Sequence, residues 1–474
     1  MSAPDPAGTR VCVAGVGLSG VAAARALAAR GAEVVAVDGR DGPAERATAR
    51  RLGDAGVRVL LGAADELPVG TELVVTSPGW RPDQPLLAAA ASAGVPVWGE
   101  VELAWRLRPA DQPWLGVTGT NGKTTTVQML ESVLRAAGHR AVACGNVGLP
   151  VLDAVLDPDP YDVLAVEVSS FQLHWARTVE FQAAAVLNIA PDHIDWHGSF
   201  EAYAAAKASI WRGDRSCVYN ADDPVVRELV DSHQDRQGFT LGPLDENCFG
   251  VVGDVLVDAC FGAAPGEAVG PHGAELARLG DIRPPAPHNV ANALAAAALA
   301  RALGSATGGR LAVPPGAVRE GLRSFSPGAH RIARVATVDG VDYVDDSKAT
   351  NPHAAAASLR SFDRVVWVAG GLAKGATFDD VVASAAGRLR AAVLLGRDRA
   401  LVADALRRHA PEIPVVEVSG TDTGAMDDVV RAAAGLAEPG DTVLLAPACA
   451  SMDMFGDYAA RGDAFADAVR RLDP

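Results

Sequence analysis

Short β-rich runs alternate with Ala-, Leu- and Arg-rich helical patterns from Arg10 onward, and this alternation constrains the fold more than any other feature. It is typical of βα units that build a parallel sheet. The alternation starts afresh three times within 474 residues, which is more chain than one hydrophobic core usually organises. We therefore predict an α/β protein of three domains.

Three series of predicted strands give the domain limits. The first series, at residues 11–13, 34–37, 57–60 and 73–76, ends in a proline-flanked stretch, 108–113, that we interpret as a linker. The second has strands at 114–118, 163–167 and 184–187, followed by a Gly-rich segment, 239–281, that predicts a small antiparallel insertion. The third has strands at 341–345, 365–369, 391–395, 415–418 and 442–445. The predicted domains are residues 1–110, 111–328 and 329–474.

Charge and cysteine content argue against several classes of protein. The formal net charge of -16 argues against a nucleic-acid or anionic-membrane partner, since both attract an excess of Lys and Arg. The six cysteines form no CxxC pair, which indicates reduced and mostly buried thiols. The N-terminus is polar, and the longest apolar stretch, residues 293–300, is too short to span a bilayer. We therefore expect a cytoplasmic protein.

The most informative motif is Thr118-Gly119-Thr120-Asn121-Gly122-Lys123-Thr124, between a predicted strand and an amphipathic helix. Small residues let backbone N–H groups surround a phosphate, the helix N-terminus adds a positive dipole, Lys123 adds a charge, and Thr124 offers a hydroxyl to Mg²⁺. The general P-loop pattern has glycine at position 117, where this chain has Val117. The motif predicts nucleotide-phosphate binding, and the alternative is a Gly-rich turn without a ligand.

A second glycine motif, Gly15-Val16-Gly17-Leu18-Ser19-Gly20, follows the first predicted strand, and Asp38 ends the next strand. Read alone, this is a dinucleotide-binding fingerprint. NAD or FAD, another diphosphate ligand and a purely structural turn are all compatible with it. The P-loop farther along the chain argues against a simple dehydrogenase, so we favour another diphosphate ligand.

Polar residues follow two strands of the central series. Glu167 ends one of them, where a carboxylate can hold Mg²⁺ beside the P-loop. His193, flanked by Asp192 and Asp195, follows the next strand, and we interpret it as a site residue rather than a core or surface histidine. As an ammonium Lys207 would repel a metal ion, whereas a carbamate formed with CO₂ would make it an oxygen ligand. The alternative is a surface lysine on an Ala-rich helix.

Three loops of the third series carry polar residues at strand ends. They are His330-Arg331 with residues 345–352, then 370–375 and 446–451. A solvated loop followed by a helix cap is the alternative interpretation of the 345–352 segment. Because the loops follow strands of one sheet, we expect them to form a binding surface on one edge.

Taken together, these motifs resemble the Mur ligase family over essentially the whole chain. The resemblance rests on Gly-Thr-Asn-Gly-Lys-Thr at 119–124, Glu-Val-Ser-Ser-Phe-Gln at 167–172, Asp192-His193, Lys207 and His-Asn-Val-Ala-Asn at 288–292. The segment Asp-Ser-Lys-Ala-Thr-Asn at 346–351 is similar to the family members that add D-glutamate. Ligases for later residues and folylpolyglutamate synthetases have a His-containing loop there, and the Asp-Asn-Pro-Arg motif of the diaminopimelate-adding members is missing from this sequence.

The resemblance implies a fold and an activity. The fold is an N-terminal Rossmann-like domain that binds UDP, a central P-loop ATPase domain with a mixed sheet, and a C-terminal Rossmann-like domain that binds glutamate. The activity is ATP-dependent ligation of D-glutamate to UDP-N-acetylmuramoyl-L-alanine through an acyl phosphate, in bacterial peptidoglycan and cell-wall synthesis, on which cell shape and division depend. The residues alone do not distinguish D- from L-glutamate, and they indicate no protein partner.

The resemblance also implies roles for individual residues. By resemblance, one set of residues occupies the positions that bind the UDP substrate in the family: Leu18, Ser19, Gly39, Arg40, Ser77, Pro78 and Gly79. Asn146 corresponds to a position near the muramoyl group. The residues at positions that bind ATP in the family are Gly119, Thr120, Asn121, Gly122, Lys123, Thr124, Thr125, Asn292, Arg331 and Asp346. The residues at positions that bind the incoming glutamate in the family are Lys348, Thr350, Lys374, Ser451 and Tyr458. Phenylalanine is expected at position 458, so Tyr458 departs from the family pattern. Two Mg²⁺ ions are expected, one on Thr124 and Glu167 and one on His193 and carbamylated Lys207, and Lys123, Glu167, His193 and Lys207 form the expected catalytic set.

Two other classes of function compete with this interpretation. An NAD-dependent oxidoreductase would explain only the first glycine motif. A nucleotide-binding assembly or regulatory protein would explain the P-loop but neither Lys207 nor the third-domain loops.

Overall fold

The computed structural model describes residues 6–213, 215–261, 269–420 and 422–472. The chain forms two compact units, one of Met1–Pro285 and Asn289–Phe325 and the other of Ala286–His288 and Ser326–Pro474. The first unit contains two sheets and the second contains one. The predicted α/β class with three sheets is confirmed, whereas the exact domain limits remain a prediction.

The first sheet has five parallel strands in the order β3-β2-β1-β4-β5. Its strands are β1 Arg10–Ala14, β2 Glu33–Asp38, β3 Arg58–Leu61, β4 Leu73–Thr76 and β5 Val97–Gly99. The helices are α1 Leu18–Ala28, α2 Pro43–Asp54, α3 Pro85–Ser92 and α4 Glu100–Leu107. Four of these strands match the predicted series, and β5 was missed because three residues are too few to show a pattern.

The central sheet has ten strands in the order β14-β15-β13-β12-β11-β10-β9-β6-β8-β7. Its parallel part comprises β6 Trp114–Thr118, β7 Ala141–Gly145, β8 Val163–Glu167, β9 Ala183–Val186, β10 Ser216–Asn220, β11 Arg236–Phe239 and β12 Cys248–Val252. The antiparallel strands β13 Val255–Asp258, β14 Val269–Gly270 and β15 Gly273–Arg278 continue from β12. The predicted mixed sheet with an antiparallel insertion is therefore confirmed.

Eight helices accompany the central sheet within the described residues. They are α5 Lys123–Ala136, α6 Val151–Val155, α7 Ser170–Trp175, α8 Ile194–His197, α9 Phe200–Ala208, α10 Pro224–Val230, α11 Pro287–Ala306 and α12 Pro315–Ser324. The apolar stretch 293–300 lies in α11 and is fully buried. Its small alanine side chains allow a close approach of the helix to the central core.

The third sheet has six strands in the order β16-β17-β21-β18-β19-β20. The strands are β16 Ala333–Val338, β17 Val341–Asp345, β18 Val365–Gly370, β19 Leu389–Leu395, β20 Val415–Glu417 and β21 Thr442–Leu445. The helices are α13 Pro352–Leu359, α14 Asp379–Ala385, α15 Arg399–His409, α16 Ala425–Leu436 and α17 Tyr458–Arg470. Only β16 is antiparallel to its neighbour, and it was not predicted. It joins β17 through Asp339 and Gly340, whose φ angles of 51° and 77° suit a two-residue hairpin turn.

Two buried carboxylates lie where α4 meets the central domain inside the first unit. Glu102 accepts hydrogen bonds from the backbone N–H groups of Arg177 and Thr178, at 2.8 and 2.9 Å. Glu100 Oε1 accepts one from Leu152 N at 2.7 Å, and its other oxygen is buried without a hydrogen-bond partner among the described atoms. Burial raises the pKa of Glu100 to about 7, the Leu152 hydrogen bond opposes this, and the charge of Asp153 adds to it. Glu100 is therefore a buried acid at an internal domain contact.

All six thiols are free, five of them buried and Cys260 half-buried, as the sequence predicts. Burial raises the pKa of Cys12 and of Cys449 to about 12. Among the described residues, no helix is both long enough and apolar enough to cross a membrane.

Candidate active site

The P-loop joins the end of β6 to the start of α5. Gly119 and Gly122 have φ angles of 154° and 85°, which side-chain-bearing residues rarely adopt. A Cβ atom on Gly122 would also lie 2.5 Å from Oδ1 of Asn292 on α11. The loop conformation therefore requires glycine at 122, and it places Asn292 beside the loop.

Asn188 holds the P-loop in place from the loop that follows β9. Its side-chain oxygen accepts a hydrogen bond from Asn121 N at 2.8 Å, and its side-chain nitrogen donates to Asn121 O at 3.1 Å. Its backbone oxygen accepts from Thr120 N at 2.9 Å. A second support is Tyr203 on α9, whose hydroxyl lies 2.9 Å from Thr120 Oγ1. Neither Asn188 nor Tyr203 was predicted as a site residue, although they lie only a few positions before His193 and Lys207.

Two predicted site residues, Thr124 and Asn146, contact a third, Glu167. Thr124 Oγ1 donates to Glu167 Oε2 at 2.8 Å, and Asn146 Nδ2 donates to Glu167 Oε1 at 2.8 Å. Glu167 is 1% exposed and lies at the carboxyl end of β8. The Thr124 hydroxyl lies at the start of α5, and the Glu167 carboxylate lies beside it. Both are oxygen ligands of the kind that Mg²⁺ prefers. The residues present therefore fit a magnesium ion beside the P-loop.

Lys123 and Lys207 both donate hydrogen bonds to the backbone of the P-loop. Lys123 Nζ donates to the backbone oxygens of Gly119 and Thr120 at 2.8 and 2.9 Å. Lys207 Nζ donates to Gly119 O at 2.8 Å and is 2% exposed. Burial, followed by the charge of Lys123, lowers the pKa of Lys207 well below its ordinary value. Lys207 is thus a buried amine, which excludes the alternative of a surface lysine.

His193 directly precedes α8 and has a left-handed φ of 53°. Its ring packs against Phe171, with 4.7 Å between centroids, and its Nε2 lies 3.6 Å from Asp192 Oδ2. Burial lowers the pKa of His193; the charge of Asp192 opposes this, and those of Lys207 and Lys123 lower it further. A neutral imidazole is the form that binds metal ions. Within the described ranges, no group of three or more His, Cys, Asp or Glu is arranged to hold a metal ion. The two predicted Mg²⁺ sites therefore also need the Thr124 hydroxyl and the Lys207 side chain as ligands.

The N-terminal glycine motif lies at the carboxyl edge of the first sheet. A Cβ atom on Gly20 would lie 1.8 Å from Gly15 O, so the tight turn requires glycine there. Asp38 accepts hydrogen bonds from Val16 N at 3.0 Å and from the backbone and guanidinium of Arg40 at 2.9 to 3.0 Å. Burial alone would raise the pKa of Asp38, but these hydrogen bonds and the charge of Arg40 lower it. Both carboxylate oxygens are therefore engaged within the protein.

The residues predicted for the UDP group follow three adjacent strands of this sheet. Leu18 and Ser19 follow β1, Gly39 and Arg40 follow β2, and Ser77, Pro78 and Gly79 follow β4. All seven are at least partly exposed, and the Leu18 side chain is 82% exposed. The structure brings them to one accessible edge, as expected for a ligand surface.

In the second unit, the predicted residues follow β17, β18 and β21. The Lys348 ammonium lies over the Tyr458 ring, 3.9 Å from its centroid. Lys374 is exposed with a φ of 52°, Ser451 is buried, and Thr350 is half-buried. Burial raises the pKa of Asp346 to about 6, although hydrogen bonds from Ser358 and Ile332 and the charge of Arg331 oppose this.

Comparison with known proteins identifies the family. The chain matches three family profiles: the Mur ligase MurD-like N-terminal domain at residues 9–99, the Mur ligase middle domain at 117–300, and the Mur ligase glutamate ligase domain at 330–449. The chain belongs to the Mur ligase family. The resemblance inferred from the motifs is confirmed.

This Mur ligase has relatives named UDP-N-acetylmuramoylalanine--D-glutamate ligase. The one from Streptomyces avermitilis is 59% identical over 472 residues, covering 98% of each chain. The one from Thermobifida fusca is 59% identical over 471 residues, covering 98% of this chain and 99% of its own. The one from Mycolicibacterium smegmatis is 49% identical over 506 residues, covering 99% of this chain and 98% of its own.

Two solved structures have the same fold. UDP-N-acetylmuramate-alanine ligase from Thermotoga maritima aligns with a TM-score of 0.58 at 19% identity, covering 98% of this chain and 99% of its own. A pseudomurein peptide ligase type C from Methanothermus fervidus also aligns with a TM-score of 0.58, at 18% identity, covering 98% and 100%.

Lysine has an unusual distribution in this Mur ligase. The chain contains 42 Lys and Arg residues in total, yet its lysines number four: Lys123, Lys207, Lys348 and Lys374. Each of them is a predicted site residue. Arginine supplies all the other positively charged Lys or Arg side chains of the chain.

Proposed function

We propose that this Mur ligase adds D-glutamate to UDP-N-acetylmuramoyl-L-alanine in an ATP-dependent step of peptidoglycan precursor synthesis. The observation that carries the proposal is 59% identity over 98% of the chain to relatives named for that reaction. The P-loop, the buried Glu167 and the strand-end loops of the other two sheets are consistent with three substrates. UDP-linked substrates and ATP are cytoplasmic metabolites, so we expect the enzyme to act in the bacterial cytoplasm without an obligate protein partner.

The chemistry must activate a carboxylate before an amine can form an amide with it. The L-alanyl carboxylate attacks the γ-phosphate of ATP, which gives an acyl phosphate and ADP. The amine of glutamate then attacks the acyl carbon, loses a proton and displaces inorganic phosphate. Lys123 and the backbone N–H groups of the P-loop bind the phosphates and stabilise the charge that moves onto their oxygens.

The residues around Glu167 fit the proposed magnesium ions. Thr124 and Glu167 would hold one ion, and His193 with a carbamate of Lys207 would hold the other. Bound Mg²⁺ supplies positive charge to the phosphate oxygens. Asn146 orients Glu167, because its side-chain amide donates to the Oε1 that Thr124 does not contact.

Carbamylation of Lys207 is supported by its environment. CO₂ reacts with a neutral amine, and the N–C bond forms with loss of one proton. Lys207 is buried, lies close to the charge of Lys123 and has a strongly lowered pKa, so the neutral amine is favoured. The product is an anion, which would be attracted to the ammonium of Lys123.

ADP release with matched sets of substrates tests the proposal. UDP-N-acetylmuramoyl-L-alanine and D-glutamate together should give ADP, phosphate and one new amide, whereas omission of either should abolish release. L-Glutamate, L-alanine and diaminopimelate serve as alternative amino acids. Turnover with diaminopimelate in preference to D-glutamate would overturn the substrate assignment. ATP binding without any release would favour a nucleotide-binding regulatory protein.

A further inference from the structure

Three loops of the third sheet surround one buried side chain, that of Arg461. Strands β17, β21 and β18 are adjacent and parallel, so the loops 346–351, 446–451 and 371–375 leave the same edge of the sheet. These loops carry Lys348, Thr350, Ser451 and Lys374, the residues proposed to bind glutamate. Arg461, in the first turns of α17, lies among the three loops and is 1% exposed.

The Arg461 guanidinium donates hydrogen bonds to two of the loops and lies close to the third. Its Nε and Nη2 donate to Ser347 Oγ and Ser347 O at 3.0 and 2.9 Å, and its Nη1 donates to Cys449 O at 3.1 Å. A Cβ atom on Gly371 would lie 3.3 Å from Nη1, so the third loop passes directly over the same group.

Two further connections complete this arrangement. Ser347 Oγ donates to Tyr458 O at 2.7 Å, which ties the start of α17 to the first loop. Leu372 and Ala450 exchange backbone hydrogen bonds of 2.8 and 3.0 Å, which join the other two loops to each other. The guanidinium therefore joins two of the loops directly, and the third loop is joined to them through Leu372 and Ala450.

The charge of Arg461 is not neutralised by a direct ion pair. Among the described residues, no carboxylate lies within 4.0 Å of the guanidinium, and its acceptors are a hydroxyl and two backbone oxygens. Burial lowers the pKa of Arg461 to about 10, although Cys449 and the charges of Asp453 and Asp345 oppose this, and it stays charged at neutral pH. A buried cation is costly, and its positive potential extends to the loops above it. An anionic ligand on those loops would benefit from that potential.

We propose that Arg461 is a positioning residue for the incoming amino acid. It holds the loops of Lys348, Thr350, Ser451 and Lys374 in one arrangement and adds positive potential where a dicarboxylic amino acid would bind. The inference rests on the proposed function and deepens it, since it concerns amino-acid affinity and not the phosphate chemistry of the P-loop.

Steady-state kinetics of Arg461→Lys test this inference. Lysine keeps the charge but loses the planar fork that reaches Ser347 and Cys449 together. The KM for D-glutamate should rise about tenfold, as expected for the loss of one or two hydrogen bonds to a charged donor. The kcat and the KM values for ATP and the UDP substrate should each change by less than about threefold. Ser347→Ala removes one acceptor and should raise the KM for D-glutamate by about threefold.

Arg390→Lys provides the matched control. Arg390 lies near the start of β19, at the opposite edge of the same sheet, and pairs with Glu438 at 2.9 Å. Both arginine variants should lower the melting temperature, but only Arg461→Lys should change the KM for the amino acid. An unchanged amino-acid KM in both Arg461→Lys and Ser347→Ala would overturn the inference, and if Arg461→Lys does not fold, Ser347→Ala alone decides.

The assays use whichever amino acid the wild-type enzyme incorporates. An error in the D-glutamate assignment would therefore show in the wild type, separately from the effect of Arg461.

Discussion

Lys123 and Lys207 donate hydrogen bonds to the same atom, the backbone oxygen of Gly119, and each Nζ lies 2.8 Å from it. Two ammonium groups on one acceptor repel each other, and the repulsion is strong where water is excluded. Lys207 is buried, and burial together with the charge of Lys123 lowers its pKa and so favours its neutral form. The lowered pKa of Lys207 agrees with the different roles proposed for the two lysines, phosphate binding for Lys123 and carbamylation for Lys207.

Lys207→Ala should be nearly inactive, with kcat lowered on the order of a thousandfold, because the proposed carbamate ligand is lost. Acetate should restore part of the activity by supplying a carboxylate, and electron density in a crystal of the wild type should extend beyond Nζ. Lys207→Arg is the control, since it keeps a cation that does not form a stable carbamate, and it should also be inactive. Wild-type turnover by Lys207→Ala, with or without CO₂, would show that the second metal is held by other groups.

Lys123→Ala should abolish ADP release, with a loss on the order of a thousandfold or more, because the charge facing the phosphates is removed. Lys123 is only half-buried, so the circular dichroism spectrum should be unchanged. Arg135→Ala, at the other end of α5, removes an exposed charge and should leave activity unchanged. Near-normal ADP release by Lys123→Ala would mean that the phosphates bind elsewhere.

Calorimetric titration should show binding of UDP-N-acetylmuramoyl-L-alanine and none of NADH. In an NAD site the acidic residue at the end of the second strand must accept hydrogen bonds from a ribose, but Asp38 is already engaged by Val16 and Arg40. Arg40→Ala should weaken binding of the UDP substrate about tenfold, the loss of one charge-assisted contact. Arg46→Ala, in which an exposed ion pair with Asp41 is lost, should have little effect. Tight NADH binding without a response to the UDP substrate would refute the assignment.

Glu100→Gln should change how the free energy of unfolding depends on pH. The pKa of Glu100 in the folded protein, about 7, lies above its ordinary value of 4.5, so the folded state binds the proton more strongly. Its contribution to stability is therefore present below about pH 4.5 and is lost as the pH rises through 7, by about 3 kcal/mol at most.

Urea unfolding at pH 5 and pH 8 measures this effect. The variant should gain stability relative to the wild type at pH 8 and not at pH 5. Asp153→Asn should move the loss to lower pH, because the charge of Asp153 raises the pKa of Glu100. An equal difference between wild type and Glu100→Gln at both pH values would contradict a buried, protonated Glu100.

Much of the fold follows from local sequence patterns. The buried parallel strands are continuous runs such as Val365–Gly370, and helix starts are marked by Pro287, Pro315 and Pro352, so each pattern identifies its element directly. Strand β16 was missed because its exposed Arg334 and Thr337 weaken the apolar pattern of an edge strand. Strand β5 was missed because it is short.

The site was predictable where a motif is contiguous and was not where side chains meet across the fold. The P-loop and Glu167 could be recognised in the sequence, yet the bonds from Asn188 to Asn121 join residues 67 positions apart. Arg461 contacts Ser347 from 114 positions away, and no local pattern distinguishes it from the other arginines of the chain. Such contacts depend on which strands are neighbours in a sheet, which the sequence alone does not specify.

Because lysine occurs at only four positions, the native lysines can serve as reporters in chemical labelling. Apart from the N-terminal amine, an amine-selective reagent finds only Lys123, Lys207, Lys348 and Lys374, which range from exposed Lys374 to buried Lys207. Mass spectrometry of modified peptides would therefore report on each predicted site lysine separately, without an engineered label. Protection of Lys123 by nucleotide and of Lys374 by amino acid could be followed in a single sample.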